Sequence, residues 1–213
     1  MRTSPRQPDH PRTSARRHGA RAGTASLLLV LSAAAQAHTD SGAAGGFVAG
    51  FLHPLAGFDH LLAMIAVGIW GAALGAPLIW ALPVAFPLLM VVGGILGIAG
   101  VPLPFVETGI ALSVLVLGLA IVAAWRAPVA VAVVLVAFFG VLHGHAHGTE
   151  LPGSASPAAY AAGFVISTGL LHLAGIALGA LRSVPRGPLM VRAAGGLIAL
   201  AGVWILVGSP GAA

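Results

Sequence analysis

Cysteine is absent from this 213-residue chain, and only 7% of its residues are charged. The first absence excludes disulfides, thiolate zinc sites and Cys-ligated iron–sulfur clusters, so any metal must be held by His, carboxylate or Met. The second excludes an ordinary soluble domain, in which about a quarter of residues are charged. The formal charge of +5 does not restore a nucleic-acid reading. Much of it comes from an N-terminal cluster, Arg2, Arg6, Arg12, Arg16, Arg17 and Arg21, and the remainder offers no basic face for a phosphate backbone. There is no Walker A run, so ATP drive is not built into the chain.

What is present is apolar. Hydrophobic residues make up 58% of the sequence, alongside 30 Gly and 15 Pro. Gly and Pro at this frequency suit membrane helices better than soluble ones. The sequence therefore predicts an all-α, polytopic membrane helix bundle. Residues 1–37 read as a cleavable signal peptide. An Arg-rich stretch precedes an apolar run, Ser26 to Ala35, that is too short to cross a bilayer of about 30 Å. Ala35-Gln36-Ala37 then supplies small residues for cleavage. The competing reading is an uncleaved signal anchor.

Residues 38–213 form the expected transmembrane domain, with about six apolar spans of about 20 residues. They are Pro54–Gly75, Leu78–Gly100, Phe105–Trp125, Val129–His147, Ala158–Leu181 and Leu189–Gly208. Prolines in the gaps mark where helices restart. Short connections predict that successive helices are antiparallel neighbours. Gly71/Gly75, Gly93/Gly97 and Gly175/Gly179 have the spacing of tight packing in lipid. With the mature N-terminus outside, Arg126, Arg182, Arg186 and Arg192 face the cytoplasm, and Asp40, Glu107 and Glu150 face the other way. That distribution satisfies the positive-inside rule.

Ionisable groups inside such helices are costly, an Asp at the centre about 3 kcal/mol, and so have a partner or a function. Pro54 suits the first turn of a helix, which places His53 at its cap. His53, His60 and Met64 then fall close to one face, while Asp59 points about 100° from His60. His53 and His60 lie about 10 Å apart along a straight axis. They share an ion only if the helix is locally unwound, which Gly57 permits, and otherwise form successive stations. His143 and His147 are one turn apart, the spacing that lets two imidazoles chelate one ion, and Glu150 extends that face. His145 projects elsewhere. The alternative for this run is a His-rich surface loop. His172 stands alone in the fifth span, either as a packing residue or as a ligand deeper in the bundle. Cleavage after Ala37 leaves an α-amine beside His38, a further candidate chelate. Imidazole with carboxylate suits Ni²⁺, Co²⁺, Cu²⁺ or Zn²⁺ better than Mg²⁺ or Ca²⁺.

Together, His53-Pro54-x-x-Gly57-x-Asp59-His60 with Met64 and Gly68, and His143-Gly144-His145-Ala146-His147-Gly148-x-Glu150-Leu151-Pro152, resemble the HupE/UreJ family of hydrogenase and urease accessory proteins. The resemblance covers essentially the whole mature chain. It implies a secondary permease for nickel, in some members cobalt, in the bacterial inner membrane. Metal-site candidates are His53, Asp59, His60, Met64, His143, His145, His147, Glu150, His172 and His38. No resident cofactor is expected, and the expected partners are a divalent transition-metal ion and the lipid bilayer, with a homo-oligomer left open. Two other classes compete. Against an intramembrane haem protein, the His cluster sits at a helix end rather than as paired mid-membrane ligands. Against a zinc hydrolase, no convincing Ser nucleophile or separate general base accompanies the cluster, so no enzymatic activity is expected. A metal-binding accessory protein that does not conduct has the same residues.

Overall fold

A computed structural model of the protein describes residues 43–151 and 156–208, all within one compact unit, Ser41–Ala213. The segment read as a signal peptide, residues 1–37, lies outside the described residues, as do His38 and Asp40. Seven α-helices are found among them: α1 (Ala43–Ala56), α2 (Phe58–Leu74), α3 (Leu78–Ile98), α4 (Val106–Val122), α5 (Val129–Thr149), α6 (Pro157–Ala180) and α7 (Gly187–Gly208). A short 3₁₀ turn, Leu181–Ser183, follows α6. No strand occurs among the described residues.

The burial pattern is that of a protein in lipid. Large apolar side chains face outward, such as Leu197 and Trp204, each 71% exposed, while His60, His143, His147 and His172 are buried. Outward apolar surface is stable where the surroundings are hydrocarbon, and polar groups then collect inside. Four helices, α3, α5, α6 with its 3₁₀ turn, and α7, are long and apolar enough to cross a membrane. The chain is a multi-pass, all-helical membrane protein. The pair α1–α2 satisfies the same test only as one broken segment, and α4 is a shorter apolar helix of 17 residues.

The break between α1 and α2 departs from the sequence expectation. Pro54 does not open a helix; it sits in the last turn of α1, which starts upstream at Ala43. Proline has no N–H to offer the carbonyl four residues earlier, so the turn is already weakened. Gly57 then takes an extended conformation with ψ 110°, between the Gly57 N–H to His53 carbonyl bond (3.2 Å) that ends α1 and the Leu61 N–H to Gly57 carbonyl bond (2.9 Å) that starts α2. The helices meet at an 80° bend.

Neighbour relations also differ from a simple meander. The closest pairs are α3 with α5, α4 with α7, and α6 with both α2 and α1. Short connections govern where a chain turns, but small residues govern how near two helices come. Gly140, Gly144 and Gly148 of α5 sit directly against the backbone of Phe86, Met90 and Gly94 in α3. A Cβ at Gly144 would stand 2.6 Å from the Met90 Cα, closer than atoms tolerate. This register, advancing four residues on both helices, makes α3 and α5 parallel neighbours. Gly93 and Gly97 serve the same interface, and Gly175 and Gly179 seat α6 on α2. Gly75 does something else: at φ 80° it ends α2 and meets nothing within 4 Å.

Candidate metal centre

The bend at Gly57 has a direct chemical consequence. It turns His60 back toward His53, leaving their ring centroids 6.3 Å apart. The parallel α3–α5 pair carries His147 to the same place, with its ring 4.6 Å from that of His53 and 4.3 Å from that of His60. One nitrogen from each of His53, His60 and His147 lies within 4.8 Å of the others. Imidazoles sharing one ion at about 2.0–2.1 Å stand about 3–3.5 Å apart, so modest ring rotations close the trio on a cation. His147 is buried, and neither of its ring nitrogens has a hydrogen-bond partner among the described residues. Leaving a buried polar group unpaired costs about 1–3 kcal/mol, which a coordinated cation recovers.

Carboxylates gather at the same end. Glu150 Oε2 lies 3.3 Å from His53 Nε2. Glu107, in the first turn of α4, is within electrostatic reach of both Glu150 and Asp59. Asp59 does not join the imidazoles. Its Oδ1 accepts the His60 backbone N–H at 2.8 Å, supplying a partner at the start of α2 where helical amides lack one. Aromatic walls come from α6: Phe164 packs 4.2 Å from the His147 ring, and Tyr160 lies 5.9 Å from His53.

His143 and His147 share a face of α5, but His143 is occupied elsewhere. Its Nδ1 lies 2.7 Å from His60 Nδ1, and its Nε2 lies 2.9 Å from Ser113 Oγ. His145 turns away to the α3–α4 connection, where its Nε2 bonds the Val101 carbonyl at 2.7 Å. Met64 is fully buried in α2, one turn beyond His60. His172 lies deeper, separated from His143 by Phe86, whose ring is 5.3 Å from one and 5.6 Å from the other. His172 is buried, close to the backbone of Pro83.

Several of these residues escaped sequence reading. Phe86, Tyr160 and Phe164 resemble any other core aromatic in an apolar helix. Ser113 and Glu107 carry a weak signal, a lone polar residue in a greasy run, but nothing local names their partners.

The far end of the bundle is basic. Arg126, Arg182 and Arg192 line one cavity with Trp70 and Trp125. Arg182 donates to the Ala73 carbonyl, and Arg192 Nε donates to the Val122 carbonyl at 2.7 Å, so both serve the C-terminal ends of helices.

An apolar helix bundle with imidazoles buried at one end and arginines at the other defines a multi-pass membrane protein with a candidate site for a divalent transition metal. Comparison with known proteins narrows the class: the family model described as HupE / UreJ protein matches residues 26–205, and the chain belongs to that family. It is 45% identical to Protein HupE of Rhizobium leguminosarum bv. viciae over 185 residues, covering 87% of this chain and 96% of that protein. No solved structure matches it.

Proposed function

We propose that this protein is a secondary, ATP-independent transporter that takes up Ni²⁺, or Co²⁺, across the bacterial inner membrane and supplies hydrogenase or urease maturation. The observation that carries the reading is the convergence of His53, His60 and His147, with both His147 nitrogens unpartnered, beneath a group of carboxylates. Membership of the HupE/UreJ family supports it independently.

In this reading the chain crosses the membrane six times, with α1–α2 as one broken span. The 17 residues of α4 reach about 26 Å, close to the hydrocarbon thickness. The histidine end faces the periplasm and the arginine end the cytoplasm, as the positive-inside rule requires. Glu150, Glu107 and Asp59 raise the local cation concentration at the mouth. His53, His60 and His147 replace part of the ion's hydration shell, and the Met64 thioether and His172 imidazole provide contacts further in. A divalent ion moving toward a negative interior gains about 4.6 kcal/mol per 100 mV, so no nucleotide is needed. Neutral imidazoles and a wide trio hold the ion loosely enough for it to leave.

Accumulation of radioactive nickel in cells tests this. Cells carrying His147→Ala at wild-type protein levels should take up nickel no faster than cells lacking the protein. Undiminished uptake would overturn the site. Purified protein in liposomes separates conduction from binding: nickel should appear in the vesicle lumen, and nickel that binds without entering would remove transport from the account.

A further inference from the structure

Among the described residues, Ser113 is the hydroxyl bonded to an imidazole, and the direction of that bond can be deduced. Ser113 Oγ lies 2.6 Å from the Ile110 carbonyl oxygen and 2.9 Å from His143 Nε2. Two oxygens at 2.6 Å need a proton between them, and a carbonyl has none to give, so the serine proton points to Ile110. The Ser113 oxygen therefore accepts, and His143 Nε2 must carry the donated proton. His143 is fully buried, and neither of its hydrogen-bond partners is anionic, so its ring is neutral and its Nδ1 is bare. The neighbouring nitrogen, His60 Nδ1 at 2.7 Å, must then be protonated, since two bare nitrogens repel at that distance. One proton per ring leaves a single free lone pair on His60, at Nε2.

We propose that Ser113 and His143 are positioning residues that fix the tautomer of His60, keeping its proton on Nδ1 and its Nε2 permanently open to a divalent cation. The chain of bonds runs from the Ile110 carbonyl through Ser113 and His143 to His60, linking α4, α5 and α2 through groups that are all buried. It places His143 behind the ion rather than on it. Two nitrogens bound to one metal at about 2.0–2.1 Å stand about 3 Å apart or more, and the pair here is closer, at hydrogen-bond distance. Free neutral histidine favours the proton on Nε2, the arrangement that would block the site. The serine thus selects the less favoured form, and its influence passes through a second ring. Outer partners of metal-bound histidines change affinity by about 10–100-fold when removed.

The proposal rests on reading His53, His60 and His147 as the ion's ligands, and the experiment separates the two ideas. Imidazole nitrogen NMR on the metal-free full-length protein in nanodiscs reads each tautomer directly, and Ni²⁺ titration reads affinity. Wild-type protein should show protonated Nδ1 on His60 and protonated Nε2 on His143. Ser113→Ala should release both rings to exchange tautomers and weaken Ni²⁺ binding about 10-fold or more, while Ser113→Thr, which keeps the hydroxyl, should restore both. A wild-type His60 protonated on Nε2 overturns the relay outright, whatever the variants do. So does Ser113→Ala binding Ni²⁺ as the wild type does. Tautomers as assigned in a wild-type protein that binds no Ni²⁺ would support the relay and sink the reading of the trio as a nickel site.

Discussion

The two ends of this bundle handle charge in opposite ways. At the arginine end, Arg182 and Arg192 are committed to the carbonyls of Ala73 and Val122 at helix C-termini, where positive charge offsets the helix dipole. At the histidine end, Glu107 lies within electrostatic reach of both Glu150 and Asp59, and His147 has no hydrogen-bond partner at all among the described residues. One end uses its charges to hold the fold together; the other accepts repulsion and unpaired nitrogens. Such a cost persists where it is recovered on binding a cation. The comparison teaches that burial by itself does not identify a site. His145 is buried much as His147 is, yet its nitrogen is satisfied by the Val101 carbonyl.

The contrast can be broken by substitution. The largest effect is expected for His147→Ala, which removes the unpartnered ligand and should reduce nickel uptake to background in the accumulation assay. Next is Gly57→Ala. The backbone at Gly57, φ −82° and ψ 110°, suits any residue, so the fold should survive. The new methyl would stand 2.7 Å from the His60 ring and displace it, so Ni²⁺ affinity by titration should fall about 10-fold with little change in Tm. An unchanged affinity would show that the His60 position is not critical. A smaller effect is expected from Glu107→Gln with Glu150→Gln, which empties most of the acidic rim. Apparent affinity should drop severalfold at low ionic strength, and the difference from wild type should shrink as salt is added. A salt-independent loss would point instead to Glu150 acting through its contact with His53. The smallest belongs to the other end. Arg192→Gln should lower stability by about 1 kcal/mol or less in thermal unfolding and leave nickel affinity untouched. Equal loss of affinity at both ends would erase the distinction.

Much of this arrangement was legible in the residues themselves. Apolar runs and prolines located α3 to α7 to within a few residues, because bilayer thickness sets span length and proline interrupts helical bonding. The first span was read wrongly at its start: Pro54 is compatible with a helix beginning or ending, and only the packing of α1 against α6 shows that it ends one. The site was half legible. The one-turn spacing of His143 and His147 does put both on one face of α5, and Gly57 does permit the break that brings His53 to His60. What that face meets is a non-local matter. His143 is drawn away by Ser113, 30 residues earlier in the chain, and by His60, 83 residues earlier.

The sequence by itself determined the solvent this protein folds in and the ligand chemistry it can offer an ion. Both follow from composition: apolar surface demands hydrocarbon, and imidazole with carboxylate in the absence of thiolate is a donor set suited to borderline divalent metals. Tertiary structure alone decided which histidines face one another and which are spent on backbone or serine. Those outcomes depend on glycine-mediated close approach between helices distant in sequence, and no local pattern encodes the register at which two helices meet.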